Sequence, residues 1–366
     1  MQLEILNIAV GFADTQVLDD LTLALTPGEI GCLLGASGCG KTTALRAVAG
    51  FEPLRQGQIV VDDRQISRPG FTLPPQRRRV GMVFQDYALF PHLSAADNIA
   101  FGLRHLKGDA RRARVREMLD LVGLGDLAHS YPHQLSGGQQ QRVAVARALA
   151  PDPALILMDE PFSNLDVELR ERLSLEVRAI LKKAGTTALI VTHDQNEAFA
   201  IADRIGLMHQ GRIEQWDTPY NLYHRPASRL VAKFIGQGVL IPGVVGDNHH
   251  IHIPMGCLPA LSPLPPRTVV DVLLRPDDIV HDDASALRAR VVAKAFRGAS
   301  TLYTLELSCG SKVLSLAPSH RDHAIGASIG IRLNAEHVVA FPVPGAAQDQ
   351  QAVPSPSVEM AVARLA

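Results

Sequence analysis

The sequence GASGCGKT at residues 35–42 constrains the fold of this chain more than any other segment. It matches the phosphate-binding pattern G-x-x-x-x-G-K-[ST], and it lies between a short apolar run, EIGCLLG, and a segment of helical periodicity from Lys41 to Gly50. Because glycines let such a loop curl, its backbone N–H groups can surround phosphate oxygens. A glycine-rich turn with an incidental lysine would not need this strand and helix beside it. The segment therefore predicts a nucleotide-binding α/β domain.

The lysine and threonine that end this loop have separate expected roles. Lys41 is expected to reach the β- and γ-phosphates of ATP, and the Thr42 hydroxyl to contact Mg²⁺. Cys39 is interpreted as a small residue that fills a tight loop rather than as a redox switch. The residues expected to bind nucleotide in this segment are Gly35, Ala36, Ser37, Gly38, Cys39, Gly40, Lys41, Thr42 and Thr43.

The apolar run ALILMD at residues 154–159 leads into a pair of carboxylates. Asp159 closes a buried strand, at the edge where parallel sheets bind ligands, and is expected to hold Mg²⁺ together with Thr42. Glu160 follows directly, and in an extended chain it points the other way, toward an attacking water. A polar strand end without chemistry is the alternative. Together with the phosphate loop, the pair predicts phosphoryl transfer from ATP to water.

The order of the remaining segments predicts the architecture. VGMVF (80–84) and TALIVT (187–192) are further short apolar runs, and their alternation with helical segments indicates a parallel sheet. Residues 91–150 have a mostly helical pattern and are interpreted as an insertion into that domain. After about Gly236, short β-type runs separated by turn residues predict a small all-β barrel or sandwich. The last segment, 346–366, has the composition of a disordered tail.

The balance of charges excludes one class of partner. Lys plus Arg number 36 and Asp plus Glu 37, so the net charge is -1 and nucleic acid bound through bulk charge is not expected. The basic runs at 77–79 and 111–116 are interpreted as solvated faces.

None of the four cysteines lies in a C-x-x-C pair, which favours a reducing compartment over a zinc site or disulfides. We find no signal peptide and no apolar run of bilayer length, so a membrane role is expected to act through a partner.

A second helix start of the anion-binding kind lies in LSGGQQQRVAVARALA at residues 135–150. Ser136 is expected to cap this helix, and Gly137 and Gly138 would let a phosphate approach its unpaired N–H groups. The chain therefore carries a second candidate phosphate contact far from the first.

Six segments, taken in order, resemble those of the ATP-binding cassette subunits of ABC transporters. They are GASGCGKT, VFQDYALFPH, LSGGQ, LILMDEP, SNLD and VTHD. The resemblance runs over residues 1–235. It implies an α/β P-loop NTPase fold, the ABC cassette, with a RecA-like core and a helical subdomain at about 91–150. LRPDDI at residues 274–279 resembles part of the all-β, OB-like (TOBE-type) accessory domain of import-type ATPases, which would occupy 236–345.

The resemblance also implies roles for residues outside the phosphate loop. Phe12 would stack on adenine, although a core phenylalanine is the alternative. Gln85 would contact Mg²⁺ and sense the membrane partner, His193 would contact the γ-phosphate, and Asp166 would reach toward a second subunit. The implied catalytic residues are Glu160, His193 and Gln85, the implied metal ligands are Thr42, Gln85 and Asp159, and the further nucleotide-binding residues are Phe12, Ser136, Gly137, Gly138, Gln139 and Asp166.

The partners implied by the resemblance explain the second helix start. In this family, LSGGQ of one subunit closes over the ATP held by the phosphate loop of the other, so the ATPase subunits form a homodimer. The resemblance further implies two transmembrane permease subunits or halves, an indirectly linked periplasmic solute-binding protein, no nucleic acid, and a place at the cytoplasmic face of the cell membrane. Tyr87, Leu89, Phe90 and Pro91 would expose an apolar surface for the permease, or would instead pack internally.

The cargo is assigned by likeness alone. Three segments are most similar to those of ferric-iron importers: VGMVFQDYALFPHLSAADNIAFGL, the threefold Gln in GGQQQR, and FIGQGVLIPGVV. Importers of polyamines, sulfate-type anions and sugars are the alternatives. A soluble ABC protein of translation or DNA repair would usually carry two cassettes or a long coiled-coil insertion. A regulatory protein that borrows an importer cassette is a third possibility.

The segment GDNHHIH contains the histidines His249, His250 and His252. His250 and His252 would share one strand face, and a metal sensor is conceivable. A hairpin turn with polar flanks is the alternative that the residue types favour. Imidazoles also suit Zn²⁺ or Cu²⁺ better than Fe³⁺.

Overall fold

The computed structural model describes residues 1–163, 165–248, 250–259, 264–335 and 338–343. Its contacts divide the chain into two compact units, one from Met1 to Leu222 and the other from Tyr223 onward. The tail expected at 346–366 lies outside the described residues.

The elements of the first unit follow the predicted alternation of strands and helices. Its strands are β1 Leu3–Phe12, β2 Thr15–Leu25, β3 Ile30–Leu34, β4 Gln56–Val61, β5 Arg64–Arg68, β6 Phe71–Thr72, β7 Val80–Val83, β8 Leu155–Asp159, β9 Ala188–Thr192, β10 Arg204–His209 and β11 Arg212–Asp217. The helices of the chain are α1 Lys41–Ala49, α2 Ala95–Ala100, α3 Gly108–Leu121, α4 Gly137–Leu149, α5 Val167–Ala184, α6 Gln195–Ile201, α7 Pro219–His224 and α8 Arg229–Phe234.

A sheet in the order β11-β10-β3-β9-β8-β7 forms the centre of the first unit. Its strands are parallel from β10 to β7, and β11 closes one edge as an antiparallel strand. Every residue of β3 and β9 is buried, as expected for parallel strands that are covered on both faces. Leu34 pairs with Thr192 and Asp159 with Val191, so the segments that follow β3, β8 and β9 emerge at one edge.

The opening strands form a second, antiparallel sheet in the order β2-β1-β4-β5-β6. Its buried side chains share one core with α1 and the parallel sheet, and members of this core include Leu3, Ile5, Leu45, Leu157 and Leu189. This core fixes α1, and therefore the loop before it, against the end of β3.

The predicted helical insertion lies between β7 and β8, where α2, α3 and α4 follow one another. Serines begin two of these helices. Ser94 accepts a hydrogen bond from Asp97 N at 3.1 Å, and Ser136 accepts one from Gln139 N at 3.3 Å. Such caps satisfy backbone donors that the first helical turn leaves open.

The interpretation of residues 77–79 as a solvated basic face is wrong for Arg78. Its side chain is buried, and its guanidinium donates to the carbonyls of Leu73 at 2.6 Å and Val48 at 2.8 Å, and to Ser67 Oγ at 2.7 Å. Burial lowers the pKa of Arg78 to about 10. The guanidinium ends α1 by binding its last carbonyls, a partner that the local sequence does not show.

The second unit is built from strands, as predicted. They are β12 Val239–Val245, β13 His250–Ile253, β14 Gly256–Pro259, β15 Val269–Leu274, β16 Ile279–His281, β17 Arg288–Phe296, β18 Ser300–Leu307, β19 Lys312–Pro318, β20 Ser328–Leu333 and β21 Val339–Pro342. They form two sheets, β14-β13-β12-β15-β21 and β16-β20-β17-β18-β19, which share one core around Val272, Tyr303 and Ile331.

The second unit begins before the change of sequence pattern at Gly236 because α8 packs with it. Ala232 of α8 is buried in a cluster with Leu273 and Phe341. Over the residues described in both units, we find no helix long and apolar enough to cross a membrane.

Candidate nucleotide-binding site

The loop between β3 and α1 is held in a shape that glycine permits. Gly38 and Gly40 have φ values of +79° and +106°, in the left-handed region. A Cβ on Gly35 would lie 2.4 Å from the carbonyl oxygen of Met208, so glycine also allows close packing there. Gly40 precedes α1 without a side-chain cap, and the first N–H groups of the helix are therefore available to an anion.

Lys41 begins α1, and its side chain turns inward toward this loop. The residue is only 5% exposed, and its Nζ donates to the carbonyls of Gly35 at 2.8 Å and Ala36 at 3.0 Å. Cys39 is also buried, with Sγ 3.9 Å from the same ammonium. Ser37 and Gly38 are exposed at the tip of the loop, which leaves it open to a ligand.

Thr42 and Asp159 meet although they are far apart in sequence. Thr42 is exposed, and its Oγ1 donates to Asp159 Oδ1 at 3.1 Å, while Thr43 beside it is half-buried. Burial raises the pKa of the Asp159 carboxyl, and the hydrogen bond from Thr42 acts in the opposite direction. A carboxylate and a hydroxyl oxygen together are the donor set that a hard cation such as Mg²⁺ prefers.

Gln85 lies at the same edge of the sheet as Asp159. It follows β7 by two residues and is exposed, and β7 pairs in parallel with β8, which ends at Asp159. Gln85 therefore follows the strand that neighbours the one leading into the acidic pair.

Glu160 departs from the conformation expected for it. Its φ of +43° is left-handed rather than extended, although its N–H still donates to the Val191 carbonyl at 3.0 Å. The expectation of a simple strand continuation is therefore wrong. The turn brings Glu160 Oε2 within 3.1 Å of His193 Nδ1, so a carboxylate and an imidazole form a pair at the carboxyl ends of β8 and β9. Such a pair can orient and polarise a water molecule.

The second helix start has the geometry that its sequence predicts, with one addition. Gln139 Oε1 accepts a hydrogen bond from Ser136 N at 2.9 Å, which completes a capping box. A Cβ on Gly138 would lie 2.8 Å from a Leu173 side-chain atom, and one on Gly137 would lie 3.0 Å from Leu165. Both glycines therefore let the start of α4 lie close to these leucine side chains, as well as leaving room for a phosphate to approach.

Four further residues expected to contact nucleotide lie outside the loop at 35–42 in the sequence. Within the described residues, no hydrogen bond joins Ser136 or Gln139 to that loop. Phe12 ends β1 and is 50% exposed, which excludes the alternative of a core phenylalanine. Asp166 is exposed and caps α5 by accepting a hydrogen bond from Leu169 N at 2.9 Å.

The apolar surface expected at residues 86–94 has a different composition from the one predicted. Tyr87 is buried, 6% exposed, so its inclusion in that surface is wrong. Phe90 is half-buried against Phe101, with ring centroids 4.3 Å apart, and Phe84 and Phe101 are exposed instead. The sequence pattern missed these two because exposure depends on how α2 packs against the segment before it.

Of the histidine cluster, His249 lies outside the described residues. His250 and His252 are both exposed on one face of β13, and residues 246–248 connect β12 to it as the predicted hairpin. Among the residues that the structure describes, no group of three or more His, Cys, Asp or Glu side chains is arranged to hold a metal ion.

Comparison with known proteins agrees with this geometry. A family model described as "ABC transporter" matches residues 18–163, and a model of the TOBE domain matches 272–341. A solved structure of the ATP-binding cassette MJ0796, dimeric and bound to ADP and Pi after hydrolysis, is 31% identical with a TM-score of 0.51. The match covers 59% of this chain and 98% of the MJ0796 chain.

Curated relatives cover nearly the whole chain. The spermidine/putrescine import ATP-binding protein PotA of Pseudomonas fluorescens is 41% identical, over 90% of this chain and 96% of that protein. The Fe(3+) ions import ATP-binding protein FbpC of Streptomyces avermitilis is 42% identical, over 93% and 98%. The sulfate/thiosulfate import ATP-binding protein CysA of Xanthomonas campestris pv. campestris is 42% identical, over 93% and 100%. With its phosphate loop, acidic pair and accessory domain, the chain belongs to the ABC transporter family as the ATP-binding subunit of an importer.

Proposed function

We propose that this protein hydrolyses ATP at the site formed by the loop at 35–42 and the ends of β8 and β9, and thereby energises import of ferric iron. The observation that carries the hydrolytic part is the meeting of Thr42 with Asp159 and of Glu160 with His193 at one sheet edge. Glu160 polarises the water that attacks the γ-phosphorus, and the bond to the β-phosphate oxygen breaks to give ADP and phosphate.

The groups around this pair have supporting roles. The loop N–H groups and Lys41 bind the phosphates, and His193 orients Glu160 while its ring faces the γ-phosphate. Thr42, Asp159 and Gln85 would hold Mg²⁺, which when bound neutralises charge on the phosphate oxygens. Phe12, half exposed at the end of β1, offers its ring to the adenine.

The exposed helix start at Ser136 supports a homodimer. We propose that Ser136, Gly137, Gly138 and Gln139 of one subunit, with Asp166, complete the site of the other, since Ser136 and Asp166 are exposed and, among the described residues, no hydrogen bond joins Ser136 or Gln139 to the loop of their own chain. The dimeric state of the MJ0796 cassette supports this arrangement. Two permease subunits or halves would dock at the surface near Phe90 at the cytoplasmic face of the membrane, with a periplasmic solute-binding protein acting through them.

The dimer is tested with Glu160→Gln, which should bind ATP without hydrolysing it. In saturating ATP this variant should run as a stable dimer in size-exclusion chromatography with light scattering. Adding Ser136→Arg should abolish the dimer while leaving ATP affinity unchanged. Adding Ser94→Ala is the matched control, because it removes a serine cap of the same kind, worth about 1 kcal/mol, from α2 and should keep the dimer. A Glu160→Gln protein that stays monomeric, even with its permease present, contradicts the proposal.

Ferric iron as cargo rests on similarity to Fe(3+) import ATP-binding proteins such as those of Streptomyces avermitilis and Haemophilus influenzae, each 42% identical. The polyamine and sulfate relatives have comparable identity, so these cargoes are the alternatives. Deletion of the gene should impair uptake of radiolabelled ferric iron and spare uptake of spermidine and sulfate. Normal iron uptake with impaired uptake of either other solute would contradict this assignment.

A further inference from the structure

Arg170, in the first turn of α5, lies where two segments of the candidate site meet. Its guanidinium donates from Nη2 to the Leu165 carbonyl and from Nη1 to Asp194 Oδ2, each at 3.0 Å. Its Nε lies 3.3 Å from Oε1 of Glu197. The side chain is only 18% exposed, so water competes little for these contacts.

The two carboxylates that pair with Arg170, Asp194 through a hydrogen bond and Glu197 through an ion pair, hold the backbone on both sides of His193. Asp194 Oδ1 caps α6, while its N–H donates to Thr192 Oγ1 at 3.0 Å. The Thr192 hydroxyl in turn donates to Glu197 Oε2. His193 is therefore carried on a short backbone segment that the same network fixes one residue before it and one residue after it.

The Leu165 carbonyl, which also accepts a hydrogen bond from Arg170, belongs to a different segment. Leu165 directly precedes Asp166, the residue that caps α5 and that faces the second subunit in the proposed dimer. A single guanidinium thus joins the segment Leu165–Asp166 to the backbone around His193, whose Nδ1 lies 3.1 Å from Glu160.

We infer that Arg170 is a positioning residue for ATP hydrolysis, which sets His193 and Glu160 relative to the segment Leu165–Asp166. This inference deepens the proposed function and rests on it. The planar guanidinium has donors in fixed directions, so a displacement of Leu165 is passed to the acceptors beside His193. The phosphate loop makes none of the contacts described for Arg170, and loss of the guanidinium should slow hydrolysis without weakening nucleotide binding.

The test compares two variants of the full-length protein. Arg170→Lys keeps the charge but replaces the planar fork by a point charge, and kcat for ATP should fall by about tenfold or more with KM unchanged. Arg170→Ala should lose more activity. Guanidinium ions at concentrations far below denaturing should restore part of its rate and saturate, while sodium chloride at the same concentration should not. A residue needed only for stability would show no such rescue.

Arg178 supplies the matched control on the same helix. Its guanidinium donates to the Ile201 carbonyl and to Asp203, and its side chain is 31% exposed. Arg178→Ala therefore removes a comparable anchor of α5 that lies away from His193. Its kcat should remain within about twofold of wild type, since only groups that hold reacting atoms affect the rate strongly, and guanidinium should not change it.

Each outcome separates the inference from the function on which it rests. Wild-type protein that releases no phosphate from ATP would contradict the proposed function itself. If the wild-type protein is active and Arg170→Lys is equally active, the role of Arg170 is overturned. The same holds if guanidinium does not restore the activity of Arg170→Ala. Binding of a fluorescent ATP analogue checks that each variant folds. If Arg170→Ala binds none of this analogue, the kcat and KM of Arg170→Lys alone test the role of Arg170.

Discussion

Arg78 and Gln141 are both polar and both buried, yet their surroundings differ. The Arg78 guanidinium donates to backbone carbonyls and to a serine hydroxyl. Gln141, in α4, is 0% exposed, and neither its Oε1 nor its Nε2 has a hydrogen-bond partner among the described residues. A buried amide without partners costs free energy, whereas a fully bonded guanidinium joins the elements around it.

We expect Gln141→Met to raise the free energy of unfolding by about 1 kcal/mol, because methionine has a similar shape and no polar atom to desolvate. The neighbouring Gln140 is the control, since its Nε2 donates to the carbonyls of Pro132 at 3.0 Å and Leu135 at 3.1 Å. Gln140→Met should lower the same free energy by about 1 kcal/mol. Urea unfolding followed by the fluorescence of Trp216 measures both, and a destabilised Gln141→Met would show that the amide has a partner after all.

At the scale of secondary-structure elements, Arg275 fixes Tyr223 and α8 within the second unit. The side chain is buried and donates to the carbonyls of Tyr223 at 3.0 Å, Ala232 at 3.2 Å and Gln237 at 3.2 Å. Its guanidinium also lies over the Tyr223 ring, 4.4 Å from the centroid. Burial raises the pKa of Tyr223 to about 12, and Asp277 acts in the same direction. The arginine of LRPDDI is therefore a structural residue in this unit.

Arg275→Met should lower the opening free energy of α8 and β15 by about 1–3 kcal/mol, since it leaves buried carbonyls without donors. Hydrogen exchange of the amides in these two elements measures the effect. Arg297→Met is the control, because Arg297 is exposed and donates to Gln237 Oε1 alone, and its effect should stay within about 0.5 kcal/mol. Equal protection in wild type and Arg275→Met would refute this role.

At the scale of the whole molecule, the acid stability of the first unit depends on Asp203. Its Oδ2 accepts hydrogen bonds from Ile30 N at 2.8 Å and Lys182 Nζ at 2.6 Å, and its Oδ1 accepts one from Arg178 at 2.7 Å. Burial acts to raise the pKa of Asp203, but these donors together lower it below its ordinary value. One carboxylate thus joins β3, α5 and the start of β10.

A carboxyl whose pKa is lower in the folded state stabilises the fold fully above its unfolded pKa, about 3.9, and loses that contribution as pH falls through the folded value. The difference in unfolding free energy between wild type and Asp203→Asn should therefore be constant from about pH 7 to pH 5 and shrink below about pH 4. Urea unfolding followed by Trp216 fluorescence checks this. Asp62→Asn, which removes an exposed pair with Arg79, should show almost no difference at any of these pH values. A difference for Asp203→Asn that grows on acidification would contradict the expectation.

The sequence by itself determined the nucleotide loop, the parallel strands and the capped start of α4. These features depend on neighbours in the chain: glycine at positive φ, short apolar runs, and a serine that bonds to an N–H three residues later. Because parallel strands end at one edge, sequence order also predicted that Asp159 would lie at the ligand-binding edge of the sheet, whereas the place of His193 was implied by the family resemblance.

Only the tertiary structure decided which polar groups are buried and what they bind. Arg78 in a basic run and Arg170 in the first turn of α5 have hydrogen-bond partners that lie far from them in sequence, and Tyr87, expected on a docking surface, is buried. The pairing of Glu160 with His193 likewise joins the ends of two neighbouring strands. The physical reason is that burial and hydrogen bonding are set by which segments meet in space, and a linear pattern records only a residue's own neighbours.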